Sequence, residues 1–150
     1  TFGSASYYGS MGEVALNKPV VGMEATRSGK GYWLVASDGG IFSFGDAQFY
    51  GSTGGIRLNM PITSMTAAPD GKGYWFVASD GGVFAFGSVG FFGSRGGDTN
   101  RRPTSGMAVS NTGEGYWLVW DDGVSFPFGD TPDFRSSVAK KTVVAIEVVP

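Results

Sequence analysis

Gly31-Tyr32-Trp33-Leu34-Val35-Ala36-Ser37-Asp38-Gly39-Gly40-Ile41-Phe42-Ser43-Phe44-Gly45 is two short runs of aromatic and aliphatic residues joined by Asp-Gly-Gly. Glycine supplies the positive φ that a tight hairpin requires, so the stretch predicts two antiparallel strands and a turn. It recurs over residues 73–87. A more altered copy runs from Gly115-Tyr116-Trp117-Leu118-Val119 to Phe126-Pro127-Phe128-Gly129. Trp33, Trp75 and Trp117 are spaced by 42 residues, and a fixed period of that size marks a repeat architecture.

The period extends beyond the hairpin. Phe2-Gly3-Ser4-Ala5-Ser6-Tyr7-Tyr8-Gly9-Ser10 matches Phe44-Gly45-Asp46-Ala47-Gln48-Phe49-Tyr50-Gly51-Ser52, Pro19 matches Pro61 and Pro103, and Met23 matches Met65 and Met107. Residues 1–150 therefore divide, as one repeat domain, into a partial repeat (1–18), three repeats (19–60, 61–102, 103–141) and a closing strand (142–150). Each full repeat offers four strand candidates, at 20–26, 32–37, 41–45 and 48–52 in the first. All are short, apolar or aromatic, and bounded by Gly, Asp, Asn or Pro. No stretch has helical periodicity.

Four antiparallel strands in such a unit fit the blade of a β-propeller, so the expected fold is all-β and propeller-like. Residues alternate on strand two, with Trp33 and Val35 on one face and Tyr32, Leu34 and Ala36 on the other. A sheet apolar on both faces needs cover on both, as stacked blades provide. Pro127 stands where the other repeats carry Ser43 and Ala85, which points to a strand edge or bulge. Strand counting gives about three and a half four-stranded blades, and half a ring leaves two apolar ends. Completion by oligomerisation is expected, either as a homodimer of about seven blades or as a head-to-tail polymer.

Composition narrows function. The 150 residues carry a net charge of −2, which disfavours a nucleic-acid surface. No apolar run approaches the roughly 18 residues of a membrane-spanning helix, so membrane insertion is not expected. The sequence has no Cys and no His, which excludes Ser-His-Asp, Cys-His and His-metal chemistry. No Asp-x-Asp-x-Asp run offers converging calcium ligands, so neither a metal nor a cofactor is expected.

The units resemble the GYWLVASDGGIFAFGDA-type repeats of secreted and envelope-associated actinobacterial proteins. The resemblance covers nearly the whole chain and is closest over 31–46 and 48–55. It implies an extracellular or cell-surface location and a binding or scaffolding role. Such repeats accompany other domains, cell-wall hydrolases among them, and carry no assigned catalytic residues. The third unit departs at Trp120-Asp121-Asp122.

Strand order places the Asp-Gly-Gly turns and the long crossovers on one rim. That rim is expected to gather Asp38, Asp80, Asp122, Arg57, Asn59, Arg95, Asp98 and Arg101 as candidate ligand-binding residues. Carboxylates at such turns also serve simply to accept backbone N–H bonds. The Tyr-Trp pairs at 32–33, 74–75 and 116–117 could stack on sugars, but their mid-strand position reads as core. The expected function is a non-enzymatic binding module for cell-wall or surface glycan. The alternative is a purely structural, self-assembling repeat protein.

Overall fold

The computed structural model describes residues 3–97 and 103–133, which form β-strands and turns with no helix among them. Among the described residues nine strands make three separate antiparallel sheets, one per repeat. The first is β1 (Val20–Ala25), β2 (Gly31–Ala36) and β3 (Ile41–Gly45). The second is β4 (Ile62–Ala67), β5 (Gly73–Ala78) and β6 (Val83–Gly87). The third is β7 (Thr104–Val109), β8 (Gly115–Trp120) and β9 (Ser125–Gly129). Within each sheet the strands lie in sequence order, and registers repeat: Trp33 faces Ser43, Trp75 faces Ala85, and Trp117 faces Pro127. The β4 strand packs between β1 and β7, which do not touch, so the three blades make an open arc.

Among the described residues the expected fourth strand does not form at 48–52 or at 90–94, and each sheet has three strands. Residues 48–52 have strand-like composition, but their backbone groups bond to side chains instead of a ladder. The Trp33 indole N–H donates to the Gln48 carbonyl (2.7 Å). Farther on, the Tyr74 hydroxyl of the next blade accepts from the Tyr50 N–H (3.1 Å) and donates to the Gly51 carbonyl (2.7 Å). The second connector repeats this. Trp75 donates to the Gly90 carbonyl, while Tyr116 accepts from Phe92 and Gly93 and donates to the Gly93 carbonyl. Tyr32 holds Tyr8 and Gly9 in the same way. The connectors at 48–51 and 90–93 are each pinned at one point by their own blade and at another by the following blade. Among the described strands β9 is the outer one of its sheet, a place where a proline is tolerated.

Both faces of the middle blade are buried, as alternation on strand two requires. Tyr74 and Phe76 join Trp33, Val35, Ile62 and Met65 in one core. Trp75 and Val77 join Met107, Tyr116, Leu118 and Trp120 in another. The chain therefore has a core between each pair of neighbouring blades, and no blade has one of its own. Burial pushes the phenol pKa of Tyr74 and Tyr116 above the ordinary value of 10.0, against the opposing pull of the backbone N–H groups that bond them. A raised native pKa means the unfolded chain loses these protons first. Stability is therefore expected to hold up to about pH 10 and to fall above it. Urea midpoints measured from pH 8 to pH 11 check this, and a midpoint unchanged at pH 11 contradicts it. The expected closing strand, residues 142–150, lies outside the described residues, as do 98–102 and 134–141.

Candidate functional site

The three turn aspartates do the same local job. Asp38, Asp80 and Asp122 each accept, through Oδ1, the N–H of the residue two positions on (Gly40, Gly82 and Val124), all at 3.0 Å. These short Asx turns shape the corner between strands two and three of each blade. Asp80 does more. Its second oxygen accepts the Gly97 N–H (3.0 Å), fastening the following crossover to the turn, and the residue is buried. On the first blade Thr53 hooks the crossover to the turn instead, through its N–H to the Gly39 carbonyl and its hydroxyl to the Asp38 carbonyl.

The crossover after the first blade walls two clefts on this rim. One, of about 380 Å³, brings Arg57, Asn59 and Asp80 together with Leu58, Phe84 and Gly97. The other, of about 320 Å³, is shared by Asn59 and Asp38 with Lys18 and Met60. Arg57 and Asn59 are exposed, so their polar ends are available to a ligand. Arg95 has a different role: its guanidinium lies 4.2 Å from the ring centroid of Phe126, a cation–π contact that ties the second crossover to the third blade. Asp122 sits at the third turn, among neither set of cleft-lining residues. Asp98 and Arg101 lie outside the described residues.

On the opposite rim Asp46 accepts from the hydroxyls of Ser28 and Thr26. These bonds, Ser28's first, hold its carboxyl below the ordinary value of 3.8. Asp46 lines a further cleft of about 380 Å³ with Arg27, Gln48, Tyr50 and Lys72. Among the described residues no three His, Cys, Asp or Glu side chains converge as metal ligands.

The expectation that the Tyr-Trp pairs are core holds for the buried Trp33, Tyr74, Trp75 and Tyr116. The exposed aromatics are others: Tyr7 (66 %), Phe49 (63 %) and Phe91 (59 %). They occupy one position of the 42-residue period. Each directly precedes the residue whose N–H meets the next blade's tyrosine. In the last two cases it also directly follows the carbonyl held by a tryptophan. Phe49 and Phe91 thus stand outward on backbone pinned at both sides, and Tyr7 on backbone pinned at one. Their signal in the sequence was the doubled aromatic at Tyr7-Tyr8, Phe49-Tyr50 and Phe91-Phe92, where a single inward ring would have sufficed.

No family profile matches this sequence, and no curated protein does. Solved structures of similar shape include the following two. A candidate 6-phosphogluconolactonase from Bacteroides uniformis superposes with a TM-score of 0.54 at 18% identity, over 81% of this chain and 40% of its own. The β-propeller domain of Cps50 (Swd1) from Myceliophteria thermophila superposes with a TM-score of 0.52 at 9% identity, over 83% of this chain and 43% of its own. At these identities the likeness speaks to fold alone, and the fold is propeller-like. The chain spans about two-fifths of the length of each.

Proposed function

We propose that this chain is an extracellular or cell-surface binding module that recognises carbohydrate, in keeping with the actinobacterial envelope repeats it resembles. The observation that carries the reading is the row of Tyr7, Phe49 and Phe91. Three large rings are left exposed at equivalent positions, on backbone that side-chain hydrogen bonds hold in place. An exposed ring on a rigid support offers its face to the C–H face of a sugar with little ordering cost. The rim clefts add what a ring lacks, namely directional polar groups for hydroxyls, here Arg57 and Asn59 beside Asp80. Repetition suits a polymer, because weak contacts made together give strong overall binding. The carboxylates on that rim are engaged with their own turns, an arrangement that serves binding better than acid–base chemistry.

The test is retention on immobilised cell-wall polysaccharides and on a glycan array. One binder is expected, and each of Tyr7→Ala, Phe49→Ala and Phe91→Ala should weaken it about fivefold, or about 1 kcal/mol per ring. The triple variant should lose about 100-fold through lost multivalency, with unchanged circular dichroism. Retention by no glycan, or a triple variant that binds like the parent, overturns the reading. The alternative, a structural repeat protein with no small ligand, expects the first of these results.

A further inference from the structure

We infer that the cleft between the first two blades, on the Asp46 rim, takes an acidic sugar whose carboxylate is held by Arg27 and Lys72. The inference rests on the carbohydrate reading above and names the class of saccharide within it. Arg27 comes from the turn after β1, Lys72 from the turn after β4, and Gln48 and Tyr50 from the connector between the blades. The buried Trp33 lines the same cleft, whose volume of about 380 Å³ is that of a small-ligand site. Both sides of the cleft thus belong to blades that pack directly against each other.

The lining has donors to spare and its acceptors are taken. Arg27 leans across to the second blade, where its Nη1 donates to the Pro69 carbonyl (3.1 Å), and the rest of the guanidinium fork stays open. Among the described residues no carboxylate forms an ion pair with Arg27 or Lys72. The Tyr50 hydroxyl donates to the Gly71 carbonyl (2.8 Å) and, more weakly, to the Gln48 Oε1 (3.3 Å), so Gln48 presents its amide N–H groups. Two carboxylates stand nearby, and both are engaged. Asp46 accepts the hydroxyls of Thr26 and Ser28, with Lys30 as its neighbouring cation, and Asp70 accepts the backbone N–H of Lys72 (2.9 Å). A ligand that answers two cations and an amide donor is an acceptor, and a carboxylate matches the Arg27 fork in a bidentate manner.

The repeat supplies an internal comparison. Between the second and third blades the frame is the same, with Trp75 and Tyr116 pinning the connector as Trp33 and Tyr74 do. The lining is not. Arg27, Gln48, Tyr50 and Lys72 are replaced there by Pro69, Gly90, Phe92 and Glu114. Holding the blades together therefore does not require the polar set, and at Lys72 the charge is even reversed. The whole chain carries a net charge of −2, so the two cations are not part of a generally basic surface. Phe49 stands in the chain between Gln48 and Tyr50 and is exposed, which lets one ligand place a sugar on its ring and a carboxylate in the cleft.

Titration calorimetry at about 0.15 M salt, where exposed charges are screened beyond about 8 Å, tests this. The probes are oligosaccharides of polygalacturonate and of hyaluronate, each beside its carboxyl-reduced form. In at least one pair the acidic member is expected to bind about tenfold more tightly than the neutral one. Arg27→Gln and Lys72→Glu, both at exposed positions, should each bring that ratio to about one with circular dichroism unchanged. Lys72→Glu gives this cleft the residue that the next repeat already carries. Phe49→Ala should weaken both members alike and keep the ratio. Equal binding of the acidic and neutral members, or a preference that survives both cleft substitutions, overturns the inference and leaves the carbohydrate reading standing. Polyglutamate bound as tightly as the acidic sugars overturns it in favour of plain charge attraction. Binding of no member of either pair also overturns it, and a blank glycan array besides overturns the carbohydrate reading.

Discussion

Tyr74→Phe is expected to destabilise the protein by about 2–4 kcal/mol, although it removes one oxygen atom and changes no apolar contact. The Tyr74 hydroxyl accepts from the Tyr50 N–H and donates to the Gly51 carbonyl, and the residue is fully buried. With the oxygen gone, both backbone groups stay in place without a partner, and the cost of leaving each unmade exceeds the net value of making it. Tyr116→Phe should cost at least as much, since that hydroxyl serves two N–H groups and a carbonyl. Tyr32→Phe should cost less, because Tyr32 is half-exposed and water can replace part of what is lost. Urea denaturation at constant m-value ranks the three. Equal losses, or a loss below about 1 kcal/mol for Tyr74→Phe, would show that the connectors are held by something other than these hydroxyls.

Gly39→Ala is expected to cost about 3 kcal/mol or more, from left-handed backbone strain plus overpacking. Gly39 has φ +77°, and a Cβ there would stand 1.6 Å from the Thr53 hydroxyl oxygen and 3.0 Å from the Thr53 Cβ. Thr53 has little freedom to retreat: it is buried, and both its N–H and its hydroxyl bond to the turn it touches. Gly29→Ala gives the comparison within the same blade. Its φ is +69°, but its Cβ would meet nothing within 4 Å, so only the conformational cost of about 1 kcal/mol remains. The difference between the two midpoints measures the crossover hook. If both substitutions cost the same, Thr53 moves freely and the hook does not hold the crossover.

Strands one to three were legible because local signals agreed: aromatic and aliphatic runs, Asp-Gly turns and strict spacing all name the same hairpins. The bounds at Ile41–Gly45 match, and the others shift by a single residue. The fourth strand failed for a nonlocal reason. Gln48, Phe49 and Tyr50 are good strand residues, yet Gly51 takes φ +137° with the Phe86 ring of the next blade where a Cβ would lie. The partners of this segment are an indole 15 residues back and a phenol 24 residues ahead, which no pattern within the segment reveals. The site divides along the same line. Asp-Gly-Gly predicts its own Asx turn, because donor and acceptor are two residues apart. That Arg95 reaches Phe126, or that Phe49 faces outward while Tyr50 faces in, depends on where a neighbouring blade stands.

The pinning of the two inter-blade connectors by successive blades makes the array dovetailed: the unit that repeats in the sequence is offset from the unit that comes apart. Melting the second blade would release Tyr74 and thereby free the connector of the first, while withdrawing Trp75 from its own. Loss of order is thus handed along the chain in both directions from any break, and a middle blade cannot open alone. Amide exchange should then rise in steps of more than one repeat, with the Tyr50 and Phe92 amides exchanging in concert with the blades that follow them.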